Sequence, residues 1–114
     1  MNDEELVCGL RASLAYGLKP GRAQALLQVL EDELLVPAGL YLDGGLIHGG
    51  TSSPYSPEIA GLVTRADGHD LAERDRARVE AWLIAQPLVA EFTLGPRQSA
   101  GSPDAAAFRS GEGA

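Results

Sequence analysis

The chain has 114 residues, enough for one domain with a single modest core; 45% are hydrophobic and 22% charged, the balance of an ordinary soluble globular protein. Its net charge of −7, from 16 acidic against 9 basic residues, argues against strong non-specific nucleic-acid binding, which phosphate neutralisation drives. A single cysteine excludes an intrachain disulfide and any multi-cysteine metal site, and no apolar run approaches the ~18 residues of a membrane helix. The acidic start Asn2-Asp3-Glu4-Glu5 is unlike a signal peptide, so a cytoplasmic location is expected.

Leu6–Ala15 fits two periods. Leu6, Cys8, Leu10, Ala12 and Leu14 alternate with Val7, Gly9, Arg11 and Ser13 as in a strand, whereas Leu6, Val7, Leu10 and Leu14 also share one helical face. Gly9 counts modestly against the helix. After a turn over Tyr16–Gly21, Pro20 suits a first helical turn. Ala23, Leu26, Leu27, Leu30 and Leu34 then recur at the spacing of an amphipathic helix that Pro37 and Gly39 end.

Leu40-Tyr41-Leu42 reads as a short strand entering an Asp43-Gly44 hairpin turn, with Leu46 and Ile47 able to prolong the pairing. His48 to Pro57 has no periodicity and is rich in Gly, Ser and Pro, which predicts a mobile loop over 46–58. Ile59–Thr64 is the next strand, closed by Asp67-Gly68.

The stretch Asp70–Leu94 predicts a helix running straight into a strand. Asp70 suits an N-cap, with Glu73 completing a capping box, and Val79, Trp82 and Leu83 recur at helical spacing. Asp70 with Arg74, and Arg76 with Glu80, are opposite charges at i,i+4. Pro87 stops the helix, and Leu88, Ala90, Phe92 and Leu94 then alternate. From Gly95 the small residues, glycines and prolines predict a flexible tail over 96–114, after a single domain over 1–95.

With the first segment extended, the order is β-α-β-β-α-β, the ferredoxin-like plan. Right-handed crossovers place both helices on one face of a four-stranded antiparallel sheet and leave the other face to solvent or a partner. Three stretches carry a family resemblance: Cys8, Leu10, Ala12 and Leu14 with Gly17 and the helix ending at Pro37; Pro37 through Leu40, Leu42, Asp43 and Gly44; and Gly61-Leu62-Val63 with Glu73, Val79, Trp82 and Leu83. In these the chain resembles the YggL family, small bacterial proteins that bind the 50S ribosomal subunit. The resemblance tips Leu6–Ala15 toward strand and implies the large ribosomal subunit, through rRNA or a ribosomal protein, as partner. The family's Lys/Arg-rich arm is replaced here by Asn2-Asp3-Glu4-Glu5, and its Trp-containing C-terminal end is missing.

No residue pattern predicts catalysis, a cofactor or a metal site, so the chain is expected not to be an enzyme. His48 and His69 lack metal-ligand spacing, and His69 reads as part of a turn. Gly49-Gly50-Thr51-Ser52-Ser53 lacks the lysine and following helix of a phosphate loop. Cys8 reads as a buried thiol and Glu31-Asp32-Glu33 as a solvated helix face. For binding, Arg11 and Arg65 on adjacent strands are expected to meet on the open sheet face, provided Leu62 faces the core; His48 is added from the neighbouring loop. A homodimer packed sheet to sheet is the alternative, and a small enzyme gathering His48, His69 and Asp43 the competitor from another class.

Overall fold

The computed structural model describes residues 5–47 and 57–110. These run β1 (Leu6–Leu14), α1 (Pro20–Leu30), a π-helical turn (Glu31–Leu35), β2 (Leu40–Ile47), β3 (Glu58–Arg65), α2 (Glu73–Ala85), β4 (Val89–Ser99) and α3 (Pro103–Ser110). The fold is α+β: the four strands form one open antiparallel sheet in the order β2-β3-β1-β4, accompanied by three α-helices. No described helix is long and apolar enough to cross a membrane.

Leu6–Leu14 is extended because strand periodicity buries more of it. Cys8, Leu10, Ala12 and Leu14 enter the main core with Leu26, Leu27 and Leu30 of α1 and Val79 and Leu83 of α2. Val7, on the other face, enters a second cluster with Leu62, Ala100 and Ala105. A strand can bury both faces in this way; one helical stripe cannot.

The phase of β3 is the reverse of the expectation. Cys8 pairs with Val63, so Ile59 and Val63 face α1 and α2, together with Leu40, Leu42 and Leu46 of β2. Leu62 faces the other way. Ile59-Ala60-Gly61-Leu62-Val63 has no polar residue to set a phase, and only pairing with β1 decides it.

Asp43-Gly44 is not a turn. β2 runs through it, and Gly44 stands opposite Gly61 of β3. A Cβ on Gly61 would lie 2.5 Å from the Asp43 carbonyl oxygen, and one on Gly44 would meet the Ala60 carbonyl. The two glycines let the strands approach at this point. The connection from β2 to β3, with His48, falls on residues 48–56, outside the described ones.

Two helix ends also differ from expectation. The π-helical turn winds wider than an α-helix, so the core stripe passes from Leu30 to Leu35, and Leu34 is only partly buried. At α2 the N-cap is Ala72, not Asp70. The Asp75 carboxylate accepts the Ala72 N–H at 3.2 Å, half of a capping box, while Asp70 Oδ1 accepts the Leu6 N–H at 2.9 Å. Asp70 thus ties the approach to α2 onto β1, beside the bond from Leu71 N–H to Leu6 C=O. Of the two expected ion pairs along α2, Arg76–Glu80 is present at 3.9 Å.

The expectation of a flexible tail beyond residue 95 is corrected for 96–110. β4 continues to Ser99, and α3 folds back over the face opposite α1 and α2, packing Ala105 and Phe108 against Val7 and Leu62. Ser102 caps it, its hydroxyl oxygen accepting the Ala105 N–H at 3.1 Å, and Pro103 occupies the first helical position. Gly9 explains the close fit: a Cβ there would lie 2.2 Å from the Phe108 ring.

Candidate functional site

Arg11 and Arg65 do not meet. Arg11 lies on the α3 face of β1, and its Nε donates to Glu58 Oε2 at 3.0 Å. Glu58 is wholly buried, and only 15% of the Arg11 side chain is exposed. The two are diagonal neighbours, since Ser13 is the residue directly opposite Glu58. Arg65 shares the phase of Val63 and so belongs to the helix face, opposite Leu40. Its guanidinium binds both oxygens of Asp67, at 3.1 and 2.5 Å, and lies 4.0 Å from Asp75 of α2. Arg11 pairs across with Ala60, five positions along β3 from Arg65, a separation of about 17 Å. The joint cationic site is therefore replaced by two separate ion pairs on opposite faces.

Electrostatics at Arg65 follow from that contact. The hydrogen bond to Asp67 raises the Arg65 pKa above its ordinary value. The same bond, helped by the His69 backbone N–H at 3.0 Å, holds the Asp67 carboxyl below the usual carboxylate range. His69 is exposed in this loop after β3, whereas Asp43 sits opposite Leu62 in mid-strand; these two candidates do not converge. Cys8 is buried in the main core, and desolvation pushes its thiol up to about 12. Among the described residues, no group of three or more His, Cys, Asp or Glu side chains is placed to hold a metal ion.

What the structure brings to the surface is a contrast between the two edges of the sheet. β4 is blunted. It carries Glu91, Pro96 and Arg97, and an extra residue at Gly95-Pro96 opposite Gly9 bulges it. Arg76 of α2 further occupies the Leu94 and Gly95 carbonyls, both at 2.8 Å, and Arg97 donates to the Leu71 carbonyl at 3.2 Å.

β2, Leu-Tyr-Leu-Asp-Gly-Gly-Leu-Ile, has no proline or bulge and a single charge, Asp43. The Ala66 N–H donates to the Gly39 carbonyl at 2.8 Å, which makes 39 and 66 a hydrogen-bonded pair. Antiparallel alternation then directs the N–H and C=O groups of Leu40, Leu42, Gly44 and Leu46 away from β3. No strand among the described residues pairs with that side.

Alongside this edge runs a groove of about 220 Å³, lined by Glu31, Leu35, Val36, Leu40, Tyr41 and Leu42. Tyr41 alternates with Leu40 and Leu42, so the lining includes residues from both faces of the strand. Val36 is 69% exposed and Tyr41 38%. Another depression, about 210 Å³ between α1 and Leu88, is lined by Ala25, Leu26 and Val29 with Arg22.

Sequence reasoning placed no docking edge on β2, because the Asp43-Gly44 dipeptide reads locally as a turn. The absence of proline and lysine over 40–47 is the signal that marks an unguarded edge. Comparison of the chain with family models, with curated proteins and with solved structures finds no match.

Proposed function

We propose that this protein is a noncatalytic interaction module on the ferredoxin-like plan, engaging its partner through the free edge of β2. The observation that carries the proposal is the asymmetry of the sheet: β4 is bulged and charged, and β2 is unbulged, carries a single charge and is bordered by a groove of five apolar or aromatic residues and Glu31. An unbulged edge with outward N–H and C=O groups is a template for another strand. The strand order β2-β3-β1-β4 and the alternation of strands with α1 and α2 support the plan, with α3 as an addition to it.

The partner implied by the resemblance to the YggL family is the large ribosomal subunit. Net charge of −7, with Arg11 and Arg65 each held by a carboxylate, favours contact with a ribosomal protein over contact with rRNA phosphate. A sucrose-gradient profile of tagged protein in its own cells tests this partner. Salt-sensitive migration with the large subunit is expected, and migration confined to the free-chain fractions would contradict it. Packing of two copies face to face is less favoured, because α3 already covers Val7 and Leu62 on the face that such a dimer would use.

A further inference from the structure

We infer that the occupant of the β2 edge is an extended segment of a partner protein carrying basic side chains, which adds to the sheet as a fifth strand. This rests on the interaction-module reading and specifies the chemistry of its partner. Backbone geometry supplies the first half of the argument: Leu40, Leu42, Gly44 and Leu46 present a row of outward N–H and C=O groups that matches a strand of about seven residues.

Charge supplies the second half. Residues 31–42 hold three carboxylates, Glu31, Asp32 and Glu33, and no lysine or arginine. Asp32 and Glu33 are exposed on the π-helical turn whose Glu31 and Leu35 line the groove. The nearest cation along the paired strand, Arg65 opposite Leu40, is bound to Asp67 and so does not cancel this field. A second copy of the chain would bring the same carboxylates against themselves, whereas a basic segment is complementary to them. Side chains of an added strand alternate between the two faces. One set reaches Glu31, Leu35 and Val36 in the groove, and the other lies beside Tyr41 and Ile47.

The test uses the intact protein and two capped seven-residue peptides, one alternating lysine with valine and the other glutamate with valine. Backbone amide spectra and hydrogen exchange report where each binds. The lysine–valine peptide is expected to slow exchange at the Leu42, Gly44 and Leu46 amides. Asp32→Lys with Glu33→Lys, both at exposed positions, is expected to weaken its binding about tenfold. Arg22→Glu, on α1 beside the other depression, is expected to leave binding unchanged.

Equal protection by the glutamate–valine peptide would overturn the basic partner while leaving the edge as a docking strand. Protection by neither peptide would overturn the inference outright, and the gradient profile would judge the ribosomal partner separately. A doubled solution mass with those amides protected in the absence of peptide would also overturn it, by making a second copy the occupant.

Discussion

Phe108 and Gly9 form a lock between α3 and the sheet, since the ring occupies the space that any side chain at position 9 would need. Gly9→Ala is expected to destabilise the fold by about 1–3 kcal/mol, the usual cost of overpacking. The same change in a Phe108→Ala background is expected to cost far less, and a double-mutant cycle in urea measures the coupling. Arg11 serves the buried Glu58 carboxylate, so Arg11→Met is expected to cost about 1.5–3 kcal/mol, a loss that chemical denaturation would register. Asp67 contributes through its ion pair with Arg65. Because its pKa is lowered, that contribution is present above the ordinary carboxyl value of 3.8 and is lost as pH falls through the lower folded value. Asp67→Asn should therefore separate from the parent in denaturation at neutral pH and converge with it in strong acid. Cys8, with its thiol pushed up to about 12, should resist alkylation at pH 8 in the folded protein and react once denatured.

Elements differ in how far their own residues specify them. α1 and α2 appear where their helical periods place them, apart from the end of α1 at Glu31–Leu35 and the start of α2 at Ala72. Leu6–Leu14 fits two periods, and its strand form is chosen by the two cores it feeds, a fact that lies outside the segment. β3 is identifiable as a strand, but its all-apolar middle has no phase, so the predicted companionship of Arg11 and Arg65 fails with it. The wide turn at Glu31–Leu35 leaves no periodic mark beyond the exchange of Leu34 for Leu35 in the core. α3 was legible in principle: Ser102-Pro103-Asp104 places a capping hydroxyl, a proline and an acid in the order that starts a helix. Surrounding glycines and small residues mask it, since composition argues for a disordered tail while three adjacent residues argue for a cap. Ser102→Ala is expected to cost about 0.5–2 kcal/mol in thermal or urea unfolding, because the Ala105 N–H loses its acceptor.

On the scale of the whole molecule, four arginines are spent on holding the fold, while the backbone of β2 and the carboxylates of the Glu31–Leu35 turn stay at the surface. Arg76 and Arg97 clamp the β4 region, Arg65 ties the end of β3 to the α2 approach, and Arg11 neutralises Glu58. Among the described residues the unpaired edge arises because β2 lies last in the sheet, which depends on pairing between distant strands and cannot be seen in any one segment. Only its lack of guarding residues is visible in the sequence. The account stands on that edge being unpaired in the free protein, and amide hydrogen exchange along β2 tests it most directly. Tyr41, Asp43 and Gly45, bonded inward to β3, are predicted to exchange slowly, and Leu42, Gly44 and Leu46 quickly, in strict alternation. Uniformly slow exchange across all six amides would mean that the edge is already occupied, and would contradict the account.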